Sequence, residues 1–271
     1  MTLKISRISD DMNRGTKQGD NQEIEFVIDF NTNKNKYKYF IDLLCKDISN
    51  VWMCRVTTKQ LSKLSNQRVF TRSDCYLIET NDDQFPKLLK NNRNYISENI
   101  LNNSNITYKY IDKSGISVKI FDSKKFQILK LQPDSFYKLF NNYELGAGAS
   151  IYCQKENELF KNINVLKGWK TTIPKMITFF KNLGLSNNFT NDLSKCKHIK
   201  DYSNKKIKEI IENSKELQKK IFNGYNLYEE PYVAWYLYHG KDIQKLTYIP
   251  FTVTTGSGRT NGDFTIVLKP I

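Results

Sequence analysis

Histidine is nearly missing from this chain: His198 and His239 are the only two among 271 residues. A Cys or Ser nucleophile therefore has few bases to take its proton, and no Gly-x-Ser-x-Gly elbow exists to expose such a serine. The five cysteines, Cys45, Cys54, Cys75, Cys153 and Cys196, are odd in number and scattered. Lacking C-x-x-C spacing, they suggest neither a zinc site nor a disulfide framework, and free thiols in a reducing compartment are expected. Long apolar runs are absent as well. The longest, Tyr232 to Tyr238, falls far short of the ~20 residues that cross a bilayer. No apolar segment follows Met1 as in a signal peptide, so a cytoplasmic protein without membrane contact is expected. Neither Gly146-Ala-Gly148 nor Gly256-Ser-Gly258 carries the Gly-Lys-Ser/Thr of a phosphate loop or follows a strand in the dinucleotide pattern, which argues against a nucleotide cofactor.

Acidic residues are in deficit: 28 Asp and Glu stand against 42 Lys and Arg, a formal charge of +14. Such a surplus points to a polyanionic partner, nucleic acid first; the competing explanation is solubility alone. Hydrophobic residues at 39%, with 16 Tyr and 16 Phe, supply the bulk for a folded core and exclude a disordered chain.

Along the chain, residues 9–21 read as loop. Residues 22–30 read as a first helix, with Ile24, Val27 and Ile28 at helical spacing. A second helix is expected over 39–48, a strand over 51–57 and one central strand over 68–79. The polar stretch 81–105 reads as an excursion at the sheet edge, with a short helix over 85–90. Strands over 115–121 and 126–131, separated by Asp122-Ser-Lys-Lys125, have hairpin spacing, and Pro133 opens a helix to Phe140. Beyond Gly148, helices are expected at 153–163, 174–183, 190–197 and 203–222. The last carries Ile207, Ile210, Ile211, Leu217 and Ile221 on one face, with interleaved Lys and Glu that predict a solvated, salt-bridged surface. Strands return at 232–238, 246–249, 251–254 and 263–268. No repeat and no proline-rich linker interrupts the chain. The expectation is one α/β domain over 1–271, a mixed central sheet flanked by helices, with a helical insertion at about 141–225.

The constellation that carries chemistry is Asp74 with Ser117 and Lys119. A strand's period of two sets Ser117 and Lys119 on one face, where Asp74 of an adjacent strand can meet them. A carboxylate facing a lysine suits divalent-metal phosphodiester hydrolysis: Asp74 holds Mg²⁺, the Val118 carbonyl adds a ligand, and Lys119 polarises the attacking water. Lysine suits the task because its compact charge can sit beside a phosphate. An ordinary strand with a polar face is the competing reading. Base readout needs donors on a flexible backbone. The loop Gly256-Ser257-Gly258-Arg259-Thr260-Asn261-Gly262 supplies them, with Arg259 suited to guanine and Asn261 to adenine. Gln127, after the catalytic strand, can reach the same DNA.

Arg72-Ser-Asp74, Ile116-Ser-Val-Lys119, Ser123-Lys-Lys-Phe-Gln127 and the segment from Gly256 to Lys269 together resemble small type II restriction endonucleases of the PD-(D/E)XK superfamily, in particular four-base cutters whose catalytic strand ends in x-V-K. The resemblance covers residues 15–31, 68–79, 115–140 and 250–269. It implies a restriction-endonuclease-like fold and sequence-specific, Mg²⁺-dependent cleavage of double-stranded DNA, with Asp74 as metal-binding aspartate and Lys119 as catalytic lysine. Ser117 stands where the wider superfamily has Glu or Asp. Glu23, on the first helix, matches the family's N-terminal glutamate that reaches the metal. A companion DNA methyltransferase is likewise implied by the resemblance. Whether one chain or a homodimer acts stays open, and the alternative in another class is a non-catalytic or repair-associated DNA-binding protein with a nuclease-like fold.

Overall fold

The computed structural model describes residues 14–44, 46–65, 68–119, 126–153, 158–185, 193–240 and 242–271. Cys45, the early part of the loop read at 9–21, the turn Asp122 to Lys125 and the start of the helix read at 190–197 lie outside these residues. The helices are α1 (Arg14–Thr32), α2 (Lys38–Leu43), α3 (Phe85–Asn91), α4 (Glu98–Asn102), α5 (Pro133–Phe140), α6 (Glu144–Ser150), α7 (Leu159–Gly168), α8 (Ile173–Asn182), α9 (Lys197–Glu212) and α10 (Lys215–Gln218). The strands are β1 (Val51–Arg55), β2 (Lys59–Leu61), β3 (Arg68–Phe70), β4 (Cys75–Glu79), β5 (Lys109–Tyr110), β6 (Ile116–Val118), β7 (Leu129–Leu131), β8 (Tyr236–His239), β9 (Asp242–Lys245), β10 (Phe251–Thr255) and β11 (Ile266–Pro270). Two compact units result: Met1–Gln60, Val69–Ser123 and Tyr228–Leu246 form the first, and Leu61–Arg68, Lys124–Leu227 and Thr247–Ile271 the second. Among the described residues no helix is long and apolar enough to cross a membrane.

The first unit is a mixed sheet in the order β1-β4-β6-β8-β9, with β5 also paired to β4. All its pairs are antiparallel except β6 with β8. Alternation along β4 explains why helices cover both faces. Cys75 and Leu77 join Phe26, Val27 and Phe30 of α1 and Phe40 and Ile41 of α2, while Tyr76 and Ile78 join Phe85 and Leu89 of α3 and Leu101 of α4. Phe30, fully buried, contributes about 1.5–3 kcal/mol by leaving water. A side-chain clamp fixes where α1 meets the sheet. Asn31, itself buried, donates from Nδ2 to the Met53 carbonyl at 3.0 Å and accepts from the Met53 amide at 2.8 Å. On the opposite face, buried Glu98 accepts from the amides of Thr57 and Thr58 at 2.8 and 2.7 Å and from the Tyr76 hydroxyl at 3.2 Å.

Several expected elements differ. The first helix begins at Arg14, so residues 14–21 are helical; each glycine within it costs about 1 kcal/mol relative to alanine, which the buried face and the Asn31 clamp outweigh. The single strand read over 68–79 is two, β3 and β4, because Ser73 leaves the ladder: its amide and hydroxyl donate to the carbonyls of Tyr232 and Pro231. The hairpin of 115–121 with 126–131 does not form. β6 pairs with β4 and β8, whereas β7 pairs with β11, since loop spacing alone cannot say which strand an edge will find. Residues 232–235 and 246–249 are not strands; β8 starts at Tyr236 and β9 precedes Leu246.

In the second unit β10, β11 and β7 form an antiparallel sheet, and the helices α5 to α10 belong with it. The stretch around Gly146-Ala-Gly148 is itself a helix, α6, which the sequence reading left out. A Cβ on Gly146 would stand 2.1 Å from the Trp169 ring, so glycine here is a packing requirement. The segment read as one helix over 203–222 is broken at Asn213, with Ser214 capping α10 by accepting from the Leu217 amide. Its expected surface holds: α9 buries Ile199, Ile207 and Ile211, and Lys205, Lys206 and Lys208 pair with Glu209 or Glu212.

Candidate active site

Asp74 lies in the bend just before β4, held by its own backbone. Its amide donates to the Ile116 carbonyl at 2.8 Å and its carbonyl accepts from the Val56 amide at 2.9 Å, which fixes the side chain between two strands. Oδ2 of Asp74 then accepts from the Val118 amide at 2.7 Å and the Ser117 hydroxyl at 3.1 Å, and Lys119 Nζ stands 3.7 Å from it. β6 can approach this closely because residue 115 is glycine: a Cβ there would lie 2.0 Å from the Val233 carbonyl oxygen and 3.0 Å from Ser73 Cβ. The three residues singled out on alternation, Asp74, Ser117 and Lys119, thus meet at one oxygen. At Val118 the contact seen is its amide donating to Asp74.

Glu23 approaches from α1. Its Oε2 accepts from Arg55 Nε at 2.8 Å and forms an ion pair with Nη2 at 2.7 Å, while Nη2 donates to Asp20 Oδ1 at 2.5 Å. Burial, then the charge of Asp74, push the Glu23 carboxyl up to about 7 despite Arg55. Asp74 and Glu23 therefore share one electrostatic environment in which negative charge is incompletely offset. Arg55 and Asp20 were missed by sequence reasoning. The available signals were a charged residue closing the apolar strand Val-Trp-Met-Cys-Arg55 and, once α1 is extended, the i,i+3 pair Asp20 and Glu23 on one helix face.

The donor set suits a hard cation. Two carboxylates, Asp74 and Glu23, with the Asp74 charge among the causes that raise the Glu23 carboxyl, match Mg²⁺, which takes one or two protein carboxylates and fills its shell from water and phosphate. Among the described residues no group of three or more His, Cys, Asp or Glu could hold a metal ion.

The residues expected to read bases lie in the second unit. Ser257–Asn261 form a 3-10 turn closed by Gly262, and the turn carries Ser257, Arg259, Thr260 and Asn261. Arg259 is engaged: Nη1 donates to the Ser150 carbonyl at 2.8 Å, and the guanidinium lies 4.1 Å from the Tyr152 ring centroid. Beside it, Lys200 Nζ donates to the Ile151 carbonyl at 2.8 Å, so both cations satisfy carbonyls at the C-terminal end of α6, where positive charge is favoured. Asn261 and Gln127 are exposed.

No family model matches this chain, and no curated protein matches it. Among solved structures, restriction endonuclease MspI in complex with its cognate DNA is similar over 94% of this chain and 89% of that one, at 12% identity and a TM-score of 0.42. So loose a similarity transfers neither residue roles nor an activity.

Proposed function

We propose that this protein is a Mg²⁺-dependent endonuclease that hydrolyses phosphodiester bonds of duplex DNA in the manner of a restriction enzyme. The observation that carries the reading is the meeting of Ser117, Val118 and Lys119 on Asp74 Oδ2, with Glu23 close enough to feel the Asp74 charge. Asp74 and Glu23 would hold the ion, with the Val118 carbonyl as a further ligand. Mg²⁺ supplies charge neutralisation at the phosphoryl oxygens when bound. Ser117 and the Val118 amide hold Asp74 in one orientation, which spares it reorganisation during the reaction. Lys119 places a mobile positive charge where a scissile phosphate and its attacking water meet, stabilising the charge that builds on the phosphorus oxygens. Arg55 keeps Glu23 and Asp20 from repelling a polyanionic substrate outright, and the net charge of +14 draws that substrate in. In this reading Asn261, Gln127 and the turn that carries Arg259, Ser257 and Thr260 contact the DNA. Arg259 reads a base only after exchanging the Ser150 carbonyl for it.

Incubation of the purified protein with long duplex DNA and Mg²⁺ tests the proposal. Discrete fragments are expected; a protein that retards DNA in a gel yet leaves it intact would instead be a nuclease-shaped binding protein.

A further inference from the structure

Beside Lys119, on the side of α1 away from Arg55, lies a cavity of about 230 Å³. One stripe of α1, Gln22, Glu25, Phe26 and Asp29, faces it, and Lys36, Lys119, Tyr238 and Gly240 complete the wall. The stripe is distinct from the Asp20 and Glu23 stripe that meets Arg55, so α1 serves two neighbouring sites at once. The cavity has a firm floor. Phe26 and Tyr238 stack with ring centroids 3.7 Å apart and planes at 16°. Beneath them the Tyr37 hydroxyl, bonded to Tyr238, donates to Asp29 Oδ2, which Lys36 Nζ also reaches at 2.5 Å. Fixed polar groups around an aromatic platform orient a ligand without paying to order the walls.

We infer that this cavity takes one nucleotide unit of the DNA next to the cleaved bond. The size limits the occupant: about 230 Å³ lies below the roughly 300–1,000 Å³ of pockets for drug-sized ligands, so nothing larger than one nucleotide unit is accommodated. The chemistry selects its class. Lys119 and Lys36 face the cavity, each beside a carboxylate, Asp74 at 3.7 Å and Asp29 at 2.5 Å, so a phosphate is held by exchange with these partners; the edge of the Phe26–Tyr238 pair offers an apolar contact for a flat ring, and Gln22 and Glu25 offer polar groups for a base edge. Lys119 touches both the Asp74 cluster and this cavity, so an occupant that engages its ammonium also sets where that ammonium stands. The identity of the ligand rests on the nuclease reading; the existence of the cavity does not.

Titration calorimetry on the full chain, with 2′-deoxynucleoside 5′-monophosphates, the matching nucleosides and inorganic phosphate as probes, tests this. At least one monophosphate should bind. Gln22→Trp or Glu25→Trp, which fill the cavity from the helix surface, should weaken it about tenfold or more, the loss of roughly one good contact, with the unfolding midpoint unchanged. Binding of no monophosphate overturns the inference, as does phosphate alone binding equally well or unaltered binding in both folded variants. DNA cleavage measured alongside separates the two readings. A protein that cuts DNA while both variants bind monophosphates normally loses only the cavity assignment. A protein that never cuts, yet loses monophosphate binding in the tryptophan variants, keeps the cavity and loses the nuclease.

Discussion

Replacing Arg55 by glutamine isolates what holds the acidic side of the site together. The arginine is 16% exposed and makes three charge-assisted contacts, two to Glu23 and one to Asp20, whose side chains are 19% and 32% exposed. Stripping a partner from a fully buried ion pair costs about 3–5 kcal/mol, and a hydrogen bond to a charged group is worth about 1.5–3 kcal/mol. Partial exposure of Asp20 and residual solvation of Glu23 place Arg55→Gln at the lower end, about 2 kcal/mol at neutral pH. Glu23 limits the damage by taking a proton, since its carboxyl is already pushed up to about 7. A carboxyl raised in the folded state is a group whose ionised form the fold disfavours. Below its unfolded value no penalty exists, and the penalty grows as pH climbs through the folded value. The variant's deficit should therefore be small at about pH 5 and larger at about pH 8.5. Adding Mg²⁺ should recover part of it, because an ion on the freed carboxylates replaces the lost positive charge. Urea unfolding of both proteins across this range, with and without Mg²⁺, measures the difference. A deficit that is independent of pH would refute the raised Glu23 carboxyl, and no deficit at all would refute the clamp.

Other outcomes follow from individual contacts. Glu98→Gln leaves the Thr57 and Thr58 amides competing for weaker acceptors and should destabilise the fold by about 1–3 kcal/mol in the same unfolding experiment; an unchanged midpoint contradicts the role given to this carboxylate. Gly115→Ala drives a methyl into the Val233 carbonyl, so it should cost at least about 1–3 kcal/mol and lower cleavage through displacement of Ser117 and Lys119, measured as loss of both thermal stability and rate. Binding to duplex DNA should weaken steeply with added salt as neutralised phosphates release counterions; a flat response in an anisotropy titration removes the argument from charge. Arg259→Ala should destabilise the end of α6 whether or not it also lowers discrimination between DNA sites by about 1–3 kcal/mol. A variant with unaltered stability would mean that the Ser150 contact contributes nothing.

Much of the cluster around Asp74 was legible because it depends on local rules. Period-two alternation along Ile116-Ser-Val-Lys119 turns Ser117 and Lys119 to one side, where Ser117 donates to Asp74 Oδ2 and Lys119 Nζ stands 3.7 Å from it. The helix opened by Pro133 was readable for the same reason, its start signal lying in the sequence. Long-range choices were not. Arg55 meets Asp20 and Glu23 across more than thirty positions of chain, and no local pattern announces that encounter. Nor could spacing decide whether the segment after β6 returns to β6 or finds β11. The α6 helix stayed hidden because glycine reads as a linker, although here it admits Trp169 against the helix backbone. Arg259 illustrates the converse: a cation in a glycine-rich turn matches a base reader, and only its contact with Ser150 reveals a structural duty.

The central claim is that Asp74 and Lys119 act on the phosphodiester bond and not merely on DNA affinity. The most direct measurement is single-turnover cleavage of duplex DNA with Mg²⁺ by the unaltered protein, Asp74→Asn and Lys119→Ala, with binding of the same DNA followed in Ca²⁺. Positioned charge of this kind is worth about 10²–10³ in rate per group. Both variants should lose at least that much cleavage while binding DNA about as tightly as the unaltered protein. A Lys119→Ala protein that cuts at an undiminished rate contradicts the account.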